Sequence, residues 1–495
     1  MRRRKNIARR KCECYPDFSA ELSTLKDVAV QGDYSRLNLP GIIAKIIRKH
    51  KSNSAYNRKL CERYQCLDDG VPIFGRVPRF PQQGAPINNQ LNSDFFSEIV
   101  DFKTGYFAGK PIAYSYSQTD ESKAVTGSEE MARRASKALT DFAIYTNLYD
   151  VDMQCVKYAA ICGYGARLFY IDKPGGKEDP GGKEKVMPIL PYQAAFLTET
   201  CDISAPLFAV RYYRTEDLSG ATICKAEFYD SSHIYYLSGS SFDKLTQVDE
   251  PQPHMFGGCP LQGIPNNEEL TGDAEKVLSL IDAYDRAISD SSNEIESFAQ
   301  AYMVFKNIQI PDEEMAKCQS SGAIRWTAAT DNADVYFLTK DINDTFLQNF
   351  LDRLRDDIYQ RSKTPNINDE TFGNASGVSL KFKLTQLETK CGMLQAKMQA
   401  AGMYMFQLLS NSFMNRLGVH MIPEQCVMEF KRNFPLDALS EAQAAKAMIA
   451  SGLPKQLVYG NAYSFVDDVS YVMQLIAEEE GDIVSLYKPE EEPEG

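Results

Sequence analysis

Histidine is scarce in this chain: four residues in 495, at positions 50, 233, 254 and 420. None stands in a nucleophile elbow, a P-loop or an HExxH pair, so the side chain that most often moves protons or binds metals has no motif to serve. That argues against an enzyme. No run of about 18 apolar residues could cross a bilayer, and the basic stretch from Arg2 to Lys11 is not followed by the apolar core of a secretory signal. The expectation is a soluble, non-exported chain with no membrane partner. The twelve cysteines lack the regular spacing of a disulfide framework. Cys12 and Cys14 with Cys61 and Cys66 match no common zinc spacing, and no histidine stands at ligand spacing, so no metal and no other cofactor is expected. Positive charge is short as well: the formal net charge is −13. That disfavours a tight, sequence-reading DNA binder, which would gather Lys and Arg along a phosphate path.

What is present is length and helical periodicity. A chain of 495 residues exceeds one core and predicts several domains. Residues 1–35 show no pattern. A short helix is predicted from Pro40 through Ile42, Ile43, Ile46 and Ile47, and a second from Ser54 to Cys66. Gly70 to Gly84 reads as loop. A helix containing Phe95, Phe96, Ile99, Val100 and Phe107 is stopped by Gly109 and Pro111. Further helices are expected over Ser128–Tyr149 and Asp152–Cys162. From Ala166 to Asp249 the period falls to two, predicting an antiparallel β region. Within it Pro174-Gly175-Gly176-Lys177-Glu178 recurs as Pro180-Gly181-Gly182-Lys183-Glu184, a hairpin tip and not a phosphate cradle, because no helix follows.

The stretch from Gly263 to Leu417 is the most informative. Val277, Ile281, Tyr284, Ile288, Ile295, Phe298, Tyr302 and Phe305 step by four and three, predicting one helix over Asp273–Phe305, roughly 50 Å long. A rod of that length cannot bury its stripe on a compact domain, so the stripe predicts lateral packing against copies of itself or against another long helix. An insert over 307–340 carries the short alternating runs Ala323–Trp326 and Asp334–Leu338. A helix from Asp344 to Arg361 then places Phe346, Phe350, Leu354 and Ile358 on one face, and Thr364-Pro365 ends it. A loop leads to a very long helix from Ser376 through Leu380, Leu384, Leu387, Cys391, Leu394, Met398, Met405 and Leu408, with Gly392 and Gly402 as candidate bends. A β run over Cys426–Phe430 precedes a C-terminal helical module, where Ser440 and Gln443 form a capping box and Asp467 caps the last helix.

Four groups of residues resemble one known family. They are Tyr56-Asn57, Tyr64, Asn88-Asn89 and Gly109-Lys110-Pro111; Gly163-Tyr164-Gly165 with Arg211-Tyr212-Tyr213; Gly263-Ile264-Pro265-Asn266-Asn267, Gly272-Asp273 and Leu280 to Ser289; and Phe372 to Lys381. In this order and spacing the chain, over about residues 50–480, resembles the portal proteins of tailed double-stranded DNA bacteriophages, of the siphophage type. The resemblance implies an α+β multidomain portal fold. It divides into a flexible basic N-terminus (1–35), a wing (36–262), a stem helix (263–306), a small α/β clip (307–340) and a second stem helix (341–363). A tunnel loop (364–376), a long wing helix with a β segment (377–435), a helical crown (436–480) and an acidic tail (481–495) complete it.

The resemblance further implies a ring, usually of twelve subunits, at one capsid vertex, through which the genome is packaged and ejected. Its partners would be the terminase large subunit, a head-completion or adaptor protein, the major capsid and scaffolding proteins, and double-stranded DNA passing without sequence preference. It would sit in the virion and, during assembly, in the host cytoplasm. The implied DNA-proximal residues are Asn368, Asp369, Glu370, Asn374 and Ser376 of the loop, with Lys381 and Lys383 just beyond it. Val277, Ile281, Tyr284, Ile288, Ile295 and Phe298 would form the subunit seam, and Ile324, Trp326, Val335 and Phe337 would belong to the clip. A channel wall past which DNA must slide should carry carboxylates, and the stem offers Asp273, Glu275, Asp282, Asp285, Asp290, Glu294 and Glu296 against Lys276 and Arg286. The rival reading is a helical scaffold or capsid-interior protein without a channel.

Overall fold

A computed structural model describes residues 15–29, 34, 37–78, 87–116, 129–172, 182–200, 202–298, 302–306, 334–338, 344–366, 377–433, 438–455, 457–458, 472–473 and 475–476. The chain divides into two compact units: Met1–Ala55 with Val100–Gly272 and Thr364–Gly495, and Tyr56–Ile99 with Asp273–Lys363. Residues 56–99 thus cluster with residues 273–363. Helices and antiparallel sheets are mixed throughout, an α+β architecture.

In the first unit α1 (Ser19–Ala29) lies inside the stretch expected to lack structure. Phe18, Leu22 and Leu25 bury on one face, and the Asp17 carboxylate accepts the Ser19 N–H at 2.9 Å, closing the first turn. Next, α2 runs unbroken from Leu39 to Tyr64, where two helices were expected. Lys51 and Ser52, between the two expected helices, are exposed positions of this one helix, and the Ser54 hydroxyl anchors it by donating to the Tyr192 carbonyl at 2.6 Å. After α3 (Phe95–Ala108) and β1 (Ala113–Tyr116) come α4 (Glu129–Tyr145) and α5 (Leu148–Cys162). Asn147 separates these last two in a left-handed conformation, φ 49°, so the break falls earlier than predicted.

The expected β region is present. β2 (Tyr164–Ile171) pairs with β3 (Glu184–Ile189) and with β10 (Leu261–Pro265). A second sheet orders β4 (Ala194–Leu197), β5 (Phe208–Glu216), β6 (Thr222–Tyr229), β7 (His233–Gly239) and β8 (Thr246–Gln247), with β9 (Gln252–Pro253) also on β7. The β2–β3 hairpin agrees with the sequence; its tip at 173–181 lies outside the described residues. Alternation sorts the second sheet's faces. Val210, Tyr212, Ala226, Phe228, Tyr235 and Leu237 pack on α1 and α2, while Phe196, Ala209 and Tyr229 pack on the β2–β10 sheet.

Two glycines let main chain touch main chain here. Gly163 ends α5 with φ 89°, and a Cβ there would fall 2.0 Å from the Leu270 carbonyl oxygen. At Gly272 a Cβ would fall 2.3 Å from the Ile161 carbonyl oxygen.

The second unit contains the described residues of 273–363. A short turn at Glu275–Val277 leads into α6 (Leu278–Phe298), which is 21 residues and roughly 31 Å long. The predicted helix to Phe305 is therefore too long. Tyr302–Lys306 is instead β11, paired with β12 (Asp334–Leu338). Tyr302 and Phe305 fit a helical stripe, but the aromatic and β-branched run Tyr302-Met303-Val304-Phe305 suits a strand equally, and pairing decides. α7 (Asp344–Ser362) returns from this hairpin.

In the first unit, α8 (Gly377–Leu417) is the long helix expected, 41 residues, continuous through Gly392 and Gly402. Leu387, Cys391, Leu394, Met398, Ala401 and Met405 bury along it against α4, α5 and β2. β13 (Cys426–Glu429) pairs with β1. The last helix described, α9, starts at Ala438, so Ser440 lies inside it and is not its cap. Asp467 is outside the described residues. Among the described residues no helix is long and apolar enough to cross a membrane, and no group of His, Cys, Asp or Glu could hold a metal ion.

Candidate functional site: the acidic helix α6

All residues in this section belong to the second unit unless stated. α6 and α7 pack antiparallel: Phe95 sits edge-on to Tyr284 near the start of α6 at 5.1 Å and to Tyr359 near the end of α7 at 5.7 Å. Tyr359 donates to the Glu98 carboxylate at 2.8 Å. The inner end of the pair is sealed, with Val277, Ile281, Leu354 and Ile358 all buried within the chain. Val277 and Ile281 were expected in a seam between subunits. In the single chain both are already buried intramolecularly.

The opposite end is different. Ile295 on α6 is 69% exposed, and Phe346 and Phe350 on α7 are 70% and 43% exposed. Ile288 is partly exposed. Phe298 closes α6, and Val335 and Phe337 stand on β12 opposite Phe305 and Met303. This end, adjoining the β11–β12 hairpin, carries apolar surface that a solitary chain leaves in water.

The carboxylates of α6 and of the turn before it do not form the bare wall expected of them. Glu275 accepts the Tyr56 hydroxyl at 2.9 Å, and Asp282 pairs with Arg63 at 2.7 Å. Asp285 is buried and accepts both the N–H and the hydroxyl of Ser93, at 2.9 and 2.5 Å. Burial pushes its carboxyl above the usual carboxylate range, and the two Ser93 bonds pull against that. Asp290 pairs with Arg76, and Glu296 accepts the Asn89 side chain at 2.8 Å. Five carboxylates read as lumenal or solvated are thus engaged by residues 56–93 of the same chain. Sequence reasoning placed Tyr56 and Arg63 on a helix and named Asn89 in a motif, but did not connect them to these carboxylates. The spacing of Asp285, Ser289 and Asn293, four apart on one helix face, was the available signal.

Of the residues placed near DNA, Asn368, Asp369, Glu370, Asn374 and Ser376 lie outside the described residues, as do Ile324 and Trp326 of the clip. In the first unit, Lys381 and Lys383 occupy the first turns of α8, with Lys383 half-buried.

Comparison with known proteins bears on most of the chain. The family described as phage portal protein, SPP1 Gp6-like, matches residues 83–485. The portal protein of Clostridium phage phiCD119 is 23% identical over 433 residues, covering 83% of this chain and 89% of that one. The portal protein of Bacillus phage SPP1 is 29% identical over 211 residues, covering 39% of this chain and 41% of that protein. In that second match the chain spans well under half of its relative.

Proposed function

The chain belongs to the SPP1 Gp6-like family of phage portal proteins, and from that premise we propose that about twelve copies close into a ring at one capsid vertex. The ring is the channel through which double-stranded DNA enters and leaves the head. Membership supports a structural role in the virion, with the terminase large subunit and a head-completion protein docking at the clip (307–340) and capsid and scaffolding proteins contacting the outer surface.

One observation carries the assembly step: the exposed apolar end of the α6–α7 pair, where Ile295, Phe346 and Phe350 lie open beside the β11–β12 hairpin. Head-to-tail contacts of this kind close into rings when the rotation permits. The seam is accordingly narrower than the sequence implied, resting on Ile288, Ile295 and the exposed phenylalanines of α7. DNA contact is weak and confined to the lumen. The loop at 364–376 carries Asp369 and Glu370 and no Lys or Arg, so attraction falls to Lys381 and Lys383, which become a circle of charge only on assembly.

Negative-stain imaging of the purified protein tests the proposal. Rings with a central hole are expected. Monomers, dimers or filaments without a hole would overturn it in favour of a scaffold or capsid-interior role.

A further inference from the structure

We infer that residues 88–94 are a latch that α6 holds by its backbone, fixing how that helix is turned about its own axis. The observation is a register. The N–H groups of Asn89, Leu91 and Ser93 donate to the side chains of Asn293, Ser289 and Asp285, at 2.6, 2.9 and 2.9 Å. Alternate residues of the latch therefore meet every fourth residue of the helix, running in opposite directions. Two residues of extended chain advance about 6.6 Å and four residues of helix about 6 Å, so the two ladders keep step over this length.

The intervening residues face elsewhere. Asn88 and Gln90 both donate their side-chain amides to the Arg76 carbonyl, at 3.0 and 2.9 Å, and Arg76 in turn pairs with Asp290. The segment is thus gripped from two sides with a period of two. A slip by one residue would turn the three donating amides away from the helix together.

The recognition is of main chain. The Leu91 side chain is 42% exposed and takes no part, while its N–H and carbonyl both bond the Ser289 hydroxyl. On the helix, Ser289 and Asp285 are buried, so undocking would strand polar groups that the fold has already removed from water. At 3.6 residues per turn, the face bearing Asp285, Ser289 and Asn293 lies about a quarter to a third of a turn from the stripe of Ile288 and Ile295. Docking the latch on one face therefore determines where the other points. That consequence rests on the ring reading; the latch itself does not.

Hydrogen–deuterium exchange of the full-length chain, followed on peptides covering 87–94 and 278–298, tests it with Leu91→Ala, Leu91→Pro, Ser289→Ala and Asn293→Ala. Leu91→Ala keeps the N–H and should exchange like the wild type. Leu91→Pro lacks that donor, and Ser289→Ala lacks its acceptor without touching the latch's backbone. Both should speed exchange across 87–94 at least tenfold while peptides from α8 stay unchanged, and Asn293→Ala should have a smaller effect of the same sign. Equal exchange in Leu91→Ala and Ser289→Ala, or wild-type exchange of 87–94 at the rate of an unstructured peptide, would overturn the latch. Images of the same preparations separate the two ideas: a protected latch without rings sinks the ring reading alone, and a freely exchanging latch within intact rings sinks the latch alone.

Discussion

Two long helices, one in each unit, are held by opposite means. α8 buries Leu387, Cys391, Leu394, Met398, Ala401 and Met405 in an unbroken apolar seam. Around α6 the buried apolar residues are Val277, in the turn before it, and Ile281; the helix then presents the buried Asp285 and Ser289, with Asn293, to donors from residues 89–93, and leaves Ile295 open near its end. Both showed an apolar stripe in the sequence. A stripe identifies a helix without saying what covers it, and in α6 the covered face is largely the polar one.

The largest effect that could break this contrast is in α8. Leu394→Ala or Met405→Ala should each cost about 2–5 kcal/mol in denaturant unfolding, because a cavity opens in a seam with no solvent access; losses under about 1 kcal/mol would mean that apolar burial does not hold the helix. In the second unit Arg63→Ala should cost about 1.5–3 kcal/mol through the lost charged hydrogen bond to Asp282. A double-mutant cycle with Asp282→Ala should return most of that as coupling, and additive losses would show that the polar contacts merely accompany the packing.

Acid should act on the first unit through His50. It is buried against the Tyr212 hydroxyl at 2.7 Å, and burial pushes its pKa down to about 3. The unfolded chain takes up that proton near pH 6.5 while the folded chain refuses it, so this stability is complete above about pH 6.5 and declines as pH falls toward 3. At pH 5.5 the loss is about 1 kcal/mol, and His50→Gln should flatten that part of the pH profile. A variant with the wild-type slope would remove His50 from the account.

The smallest effect on the chain itself is expected at the open end of α6. Ile295→Asp with Ile288→Asp should shift unfolding of the isolated chain only slightly, about 0.5 kcal/mol for the exposed position, yet should abolish rings. Intact rings from that double variant would move the seam elsewhere.

Much of the fold was legible because it was written in apolar period. The expected long helix beginning near Ser376 appears as Gly377–Leu417, the period-two region as antiparallel sheets, and the Gly109-Pro111 stop as the end of α3 at Ala108. The family, too, was legible in short motifs whose order matched. Errors arose where two patterns overlapped or where polar residues did the packing. Tyr302 and Phe305 satisfied a helix and a strand alike, and the pairing partner at 334–338 was too distant in sequence to decide between them. The carboxylates of α6 and of the turn before it looked free because their partners, Tyr56, Arg63, Arg76, Asn89 and Ser93, lie some 200 positions away in the sequence.

The close approaches at Gly163 and Gly272 bear on how this chain can drift. At both positions the space a methyl group would need already holds a carbonyl oxygen, 2.0 and 2.3 Å away. Backbone cannot swing aside as a side-chain tip can, so even alanine is refused. In a library of random variants these two positions would rank among the most intolerant in the chain, well above Leu91 with its outward side chain. Intolerance there records a shortage of room, and a survey that scored positions by it alone would draw a binding site where two stretches of main chain simply touch.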